Sequence, residues 1–273
     1  MKSLPPFPPT AMRVVELANT PTSTAKELIE VIRLDPVLTA KILKLVNSSF
    51  FSLTQKVSSL KRALILLGFN TVKNIALSSA MISALKEKVT GKHQNLLNDL
   101  WIHMLAVGVG SREIALKSQA PNEKAEEYFL CGLLSELGTL LLISRIYHLY
   151  EPLEKVSQKN NISMAMAVKK SLGLSPAEIT VIMLEEWKLP ESVLSTMQDI
   201  ANGTSFCPVG NAVQLSDKIA RKLYLGYVCD LTNLDINPSD LGLNGITLED
   251  LNSIEEELPS LTDSAMFLLE TAS

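Results

Sequence analysis

Along the first half of the chain, apolar positions fall in helical register, and polar or proline positions mark where each run stops. Ala25, Leu28, Ile29 and Ile32 are spaced i, i+3, i+4 and i+7, one face of an α-helix, with Thr24 and Glu27 forming a capping box ahead of them. Pro36 stops that helix and starts the next, because Asp35 can cap it and proline is tolerated at the first helical position. Leu38, Ile42, Leu45 and Val46 then keep the period. Ser59 is placed to cap "LKRALILL", which stops at Gly68, and Asn70 or Thr71 opens "VKNIALSSAMISAL".

The second half reads the same way. After the hydrophilic connector "KEKVTGKHQN", a long amphipathic helix is expected over roughly 94–117, followed by the apolar run "FLCGLLSELGTLLLI" and then "MAMAVKKSLG". Ser175-Pro176-Ala177-Glu178 combines a capping box with proline at the first position, and its helix ends near Trp187. Pro190 starts another helix that Gly203 ends, Pro208 starts one through about Leu225, and Thr247 with Asp250 caps a late one. Hairpin signals between alternating runs are missing and no repeat of 20–50 residues stands out. The expected fold is therefore all-α, with about a dozen helices.

Composition narrows the function classes. With 47% hydrophobic, 20% charged and only 5% aromatic residues, the chain reads as an aliphatic globular protein. A net charge of -4 argues against a broad nucleic-acid surface. Cys131, Cys207 and Cys229 are odd in number and lack a CxxC spacing, so they are read as reduced thiols of a cytoplasmic protein. The start "MKSLPPFPPT" has no apolar h-region, its prolines suit a rigid arm anchored by Phe7, and no uninterrupted apolar window of about 18 residues suggests a membrane span. Phe50 and Phe51, at a helix end, are expected to close the core.

Familiar catalytic templates are missing: the chain holds no Walker loop, G-x-G-x-x-G, G-x-S-x-G or HExxH. Polar exceptions in apolar helices remain. Ser135-Glu136 sits in the middle of the run from Phe129 to Ile143, where an unpaired carboxylate would cost several kcal/mol. His103 shares a helix side with Val107 and Ile114, and is either a core histidine satisfied by a carbonyl or a ligand. Asp217 is either a ligand or the surface partner of Lys218 or Arg221.

The segments "LPPFPPTAMRVVELANTP", "LIEVIRLDPVLTAKILKLVNSSFFS", "VSSLKRALILLGFNTVKNIALSSAM" and "LWIHMLAVG" together resemble the HDOD family, the HD-related output domain of bacterial signalling proteins. The resemblance runs over about residues 4–225. It implies a multi-helical bundle like that of the HD superfamily of metal-dependent phosphohydrolases, made of two packed helical subdomains: residues 1–90, an HD-like 91–225, and a C-terminal helical extension 226–273. In the related enzymes a His, a His-Asp dyad and a later Asp hold a divalent cation that activates water. His103 matches the first His and Asp217 the last Asp, while the dyad falls on Ser135-Glu136.

Serine is a poor metal ligand and Glu136 carries its carboxylate one methylene further out than Asp. The further histidines of the diguanylate-cleaving relatives are replaced by Pro176 and by Asp199-Ile200. The resemblance therefore implies a degenerate pocket of His103, Ser135, Glu136 and Asp217, with no catalytic, cofactor-binding or metal residues, and His103 is expected near Glu136 as an imidazolium. The expected function is a non-catalytic signalling module acting through partner proteins, with a nucleotide-like small ligand as the other occupant of the old pocket. No nucleic acid or membrane is expected as a partner, and the sequence sets no oligomeric state. The alternative is a metal-dependent phosphohydrolase acting on nucleotides or phosphoesters.

Overall fold

A computed structural model describes residues 9–51, 53–86, 93–118, 124–203, 207–227 and 234–269. Among them there is no strand, and helices α1 to α14 account for about four-fifths of the residues. The first five are α1 (Pro9–Asn19), α2 (Ala25–Arg33), α3 (Pro36–Val46), α4 (Leu60–Leu67) and α5 (Phe69–Lys86). Their starts follow local chemistry. Thr24 and Glu27 make both halves of a capping box, Asp35 accepts from the Leu38 amide, and Ser59 accepts from the Arg62 amide. α5 begins at Phe69, slightly ahead of the expected Asn70 or Thr71, because the Gly68 carbonyl already accepts from Val72. These helices pack mainly on α5, which carries the group against the next bundle.

That bundle is organised by α6 (Gln94–Lys117), which is buried nearly all round. Its neighbours are α7 (Ala125–Leu134) on one side and α12 (Pro208–Lys222) on the other. Close approach is possible because the contacts are glycines. A Cβ on Gly132 of α7 would stand 2.7 Å from the Val107 carbonyl oxygen, and one on Gly110 would collide with the Ser216 hydroxyl of α12. Ser216 spends that closeness on a 2.8 Å hydrogen bond to the Val107 carbonyl. Three helices thus bring His103, the end of α7 and Asp217 to one end of the bundle.

α8 (Leu137–Asn160), α9 (Met164–Leu172), α10 (Pro176–Glu186) and α11 (Glu191–Asn202) wrap this core, with α10 against both α8 and α11. α13 (Pro238–Asn244) packs on α12, while α14 (Leu248–Ala265) packs on α6 and ends in a 3₁₀ turn, Met266–Leu269, that reaches α3 and α5. Taken together, Ala125–Asn160 is long and apolar enough to span a bilayer by composition alone, but 67% of its most apolar window is buried inside this fold. The segment is core helix, and charged residues such as Glu136 interrupt it, so it holds no uninterrupted apolar window of about 18 residues.

Several expectations need adjustment. The run from Phe129 to Ile143 is not one helix: α7 stops at Leu134 and α8 starts at Leu137, so Ser135-Glu136 is the break itself. α12 ends at Lys222 rather than near Leu225, because Tyr224 (φ 54) and Gly226 (φ +77) turn the chain in the left-handed region. α1 and α13 were not anticipated. Phe7, Cys229 and most of the connector "KEKVTGKHQN" lie outside the described residues. Phe50 is buried, edge-on to Phe51 and to Phe129 of α7 with ring centroids 5.2 and 5.5 Å apart, so it does close the core between α3 and α7.

Candidate functional site: a closed ion-pair cluster

The four residues of the predicted pocket arrive from three places in the fold. His103 comes from the middle of α6, Ser135 and Glu136 from the α7–α8 break, and Asp217 from α12. Asp217 and His103 meet directly: His103 Nε2 lies 3.0 Å from Asp217 Oδ1. The other oxygen, Oδ2, accepts from Arg221 at 2.5 Å, one turn further along α12. Of the partners read from the sequence, Arg221 is the one that pairs with Asp217, which also reaches inward to His103. Lys218 points elsewhere and pairs with Asp240 of α13 at 2.9 Å.

His103 is only 3% exposed, and its second ring nitrogen also has a partner, since Nδ1 lies 3.3 Å from the Leu225 carbonyl oxygen. A carboxylate and a carbonyl can only accept. With an acceptor at each nitrogen, the ring satisfies both contacts only when both nitrogens carry protons, as imidazolium. Burial alone would lower the His103 pKa, but the hydrogen bond and charge of Asp217 outweigh it, so the net direction is upward. Asp217 moves the opposite way: burial resists its ionised form, and the bond from His103 with the charge of Arg221 holds its carboxyl below the usual range. The two shifts agree in favouring a charged pair.

The carbonyl that holds Nδ1 belongs to a short strap after α12. Gly226 of that strap lies against the α6 backbone, where a Cβ would stand 2.5 Å from the His103 amide nitrogen and would collide with the Asp99 carbonyl. The Tyr227 amide donates to the same Asp99 carbonyl at 2.9 Å, and the Tyr227 hydroxyl donates to Glu154 of α8 at 2.6 Å. The strap covers the side of His103 that Asp217 leaves open.

Glu136 is not hydrogen-bonded to His103, although its charge favours the protonated ring. Its Oε2 accepts from the Thr139 hydroxyl at 2.5 Å, one turn into α8, and His103 reaches it only through charge. Burial and the charge of Asp217 push its carboxyl up, more than Thr139, His103 and Arg221 pull it down. Ser135 turns back into its own helix, donating to the Gly132 carbonyl at 2.8 Å. The break is held from outside by α10. Thr180 donates to the Ser135 carbonyl at 3.3 Å and accepts from the Gly138 amide at 2.9 Å, while Gly138 packs so tightly on Pro176 that no Cβ would fit.

Thr139, Thr180 and the Leu225 carbonyl are members of this cluster that the sequence does not point to, whereas Arg221 is read from it as a partner of Asp217. Of the three, Thr139 carries a local signal, a hydroxyl three residues after a carboxylate. These residues do not fit a divalent metal. Among the described residues no three His, Cys, Asp or Glu side chains converge as a metal ion requires. An imidazolium has no lone pair to donate, and a guanidinium already stands on the Asp217 oxygen opposite the histidine.

Comparison with known proteins places this architecture. One curated relative, an uncharacterized protein of Treponema pallidum, is 22% identical over 195 residues, which is 71% of this chain; the chain spans 37% of that relative's length. An HDOD domain protein of unknown function from Geobacter sulfurreducens superposes with a TM-score of 0.78 at 20% identity, covering 98% of this chain and 94% of the other. A protein from Shewanella amazonensis named "Putative phosphohydrolase" gives 0.73 at 23% identity over 98% and 95%. One from Marinobacter aquaeolei named "Putative signal transduction protein" gives 0.72 at 23% identity over 97% and 59%. At these identities the structural likeness establishes the fold alone. A family model for the HDOD domain matches residues 4–202, nearly three-quarters of the sequence, and on that ground the chain belongs to the HDOD family.

Proposed function

We propose that this chain is a non-catalytic regulatory module that acts through partner proteins. The observation that carries the reading is the double engagement of His103: Nε2 on Asp217 at 3.0 Å and Nδ1 on the Leu225 carbonyl at 3.3 Å, with Arg221 on the remaining Asp217 oxygen. Where a hydrolase of this fold would keep ligands and an open position for water, the side chains here satisfy one another. Fold likeness to a protein named as a phosphohydrolase does not transfer activity, because sites rather than folds decide chemistry.

A reducing, cytoplasmic setting fits the reading, since Cys131 and Cys207 are free thiols. So does a division near residue 90, with the first helices as one packing unit and the α6-centred bundle as the other. In this reading a nucleotide-like ligand would have to displace the Arg221–Asp217 contact before it could enter the pocket.

The test is metal analysis of protein purified without chelator, paired with thermal-shift titration of Mn²⁺, Mg²⁺ and Fe²⁺ and with hydrolysis of bis(p-nitrophenyl) phosphate. The expected result is no bound metal, no stabilisation and no turnover. Stoichiometric metal whose stabilisation disappears in His103→Ala and Asp217→Ala, together with turnover, would overturn the reading in favour of a phosphohydrolase.

A further inference from the structure

On the face of the molecule formed by α2, α4 and the start of α5 lies a cleft of about 610 Å³. Its volume is within the roughly 300–1,000 Å³ that ligand-binding clefts occupy. The floor is apolar, built from Ile29, Leu64, Ile65 and Phe69. α4 buries Leu60 and Ala63 against α5, which leaves Ile65 on the opposite side of the helix and 65% exposed. Leu34, next in sequence to the cleft residue Arg33, is 78% exposed and extends the apolar edge. One such residue is ordinary on a surface, but here they line a concavity.

The rim is cationic. Lys26, Arg33 and Lys61 surround the floor. The single carboxylate among the lining residues, Glu30, stands 4.0 Å from Lys26. Arg33 and Lys61 have no carboxylate partner among the described residues. The charge is regional as well as local. Residues 1–86 hold eleven Lys and Arg against four Asp and Glu, whereas residues 87–273 hold fourteen against twenty-five. An overall charge of -4 conceals a basic excess in the stretch of chain that carries this cleft.

We propose that this cleft docks an amphipathic helix of a partner protein, its apolar anchors entering over Ile29, Leu64, Ile65 and Phe69 and its acidic residues meeting Lys26, Arg33 and Lys61. An apolar floor within a charged rim is what a helix with anchors at i, i+3, i+4 and i+7 and an acidic flank complements. A nucleic-acid backbone would use the rim but leave the floor uncovered. This inference rests on the reading of the chain as a module that works through partner proteins and adds the surface on which it would do so.

The probe is a fluorescein-labelled, lactam-stapled peptide of about four helical turns, with Leu at i, i+3, i+4 and i+7 and Glu elsewhere, followed by anisotropy. Its counterpart carries Lys in place of Glu. The expected result is that the acidic peptide binds at least about tenfold more tightly than the basic one, with affinity falling as salt rises. Ile65→Asp and Lys61→Glu should each weaken it by about tenfold or more while leaving the melting temperature unchanged, since both residues are exposed. Equal binding of the two peptides, no binding, or no effect of either substitution would overturn the proposal. So would competition by a single-stranded oligonucleotide at equal affinity, which would make the rim a general polyanion site. Self-association that either substitution abolishes would overturn it too, assigning the cleft to a second copy of the chain. None of these variants touches His103 or Asp217, so a failure here leaves the non-catalytic reading standing, and only metal loading with turnover removes that.

Discussion

Arg221 stands one helical turn beyond Asp217 and holds Oδ2 at 2.5 Å, while His103, from a different helix, holds Oδ1 at 3.0 Å. The carboxylate is thus shared between a local partner and a distant one, and the distant one is buried. Replacing it removes the counter-charge from a histidine that has no access to water.

Asp217→Asn is therefore expected to cost about 3 kcal/mol of unfolding free energy, the scale for stranding one member of a largely buried pair. Arg221→Gln should cost much less, because its loss leaves the His103 contact with Asp217 in place. Urea denaturation of the two variants checks the order; equal losses would mean that His103 is neutral and needs no counter-ion.

The pair also sets a pH dependence whose sign is fixed. The His103 pKa is raised above its ordinary 6.5, so its stabilisation is fully present below that value and is lost as pH rises through the folded-state value. Asp217 is depressed below its ordinary 3.8, so its stabilisation is present above that value and is lost as pH falls through the folded-state value. The pair contributes most between the two. Melting temperature should fall on going from pH 6 to pH 9, and His103→Gln should flatten that fall. A fall of the same size in His103→Gln would assign it elsewhere.

Glu136 is the other source of such a fall, because its raised carboxyl pKa means that ionising it in the folded protein costs stability. Glu136→Gln keeps an oxygen for the Thr139 hydroxyl and removes the charge. It should match the parent near pH 4, where the carboxyl is protonated, and exceed it at pH 8. Paired thermal scans at the two values decide the matter; identical curves would show the carboxylate to be solvated.

A second buried ion pair lies between α6 and α7, and its arginine also covers two rings from the first helical group. Arg112 of α6 donates to Glu126 of α7 at 2.7 Å, and its guanidinium lies 4.2 Å from the Phe50 ring centroid and 4.9 Å from that of Phe51. Burial raises the Glu126 carboxyl pKa against the pull of Arg112. Arg112→Ala should cost about 3–5 kcal/mol. Arg112→Lys, which keeps the charge and loses the planar fork and the stack, should recover only part of it by denaturant unfolding.

What the sequence revealed and concealed follows from the range of each interaction. Thr24, Asp35, Ser59, Ser175 and Thr247 cap their helices as expected, because a cap is decided within three residues. The placements of His103 and Asp217 followed from resemblance, and their contact across 114 positions depends on glycines at helix crossings that carry no pattern of their own. The break at Ser135-Glu136 was concealed because apolar residues flank it on both sides, and Thr180 of α10 holds it from 45 positions away. α1 was missed although Pro9 at its first position is itself a start signal, masked by the prolines ahead of it.

The match to the HDOD family ends at residue 202, six positions before α12 begins. Asp217, Arg221 and the strap that carries the Leu225 carbonyl all lie beyond it. A fragment cut at the family boundary would thus keep the histidine and lose both of its hydrogen-bond partners, along with the helix that packs against Gly110 of α6. The recognisable domain and the stretch of chain that satisfies His103 are different lengths, and the difference is measured by one imidazole ring.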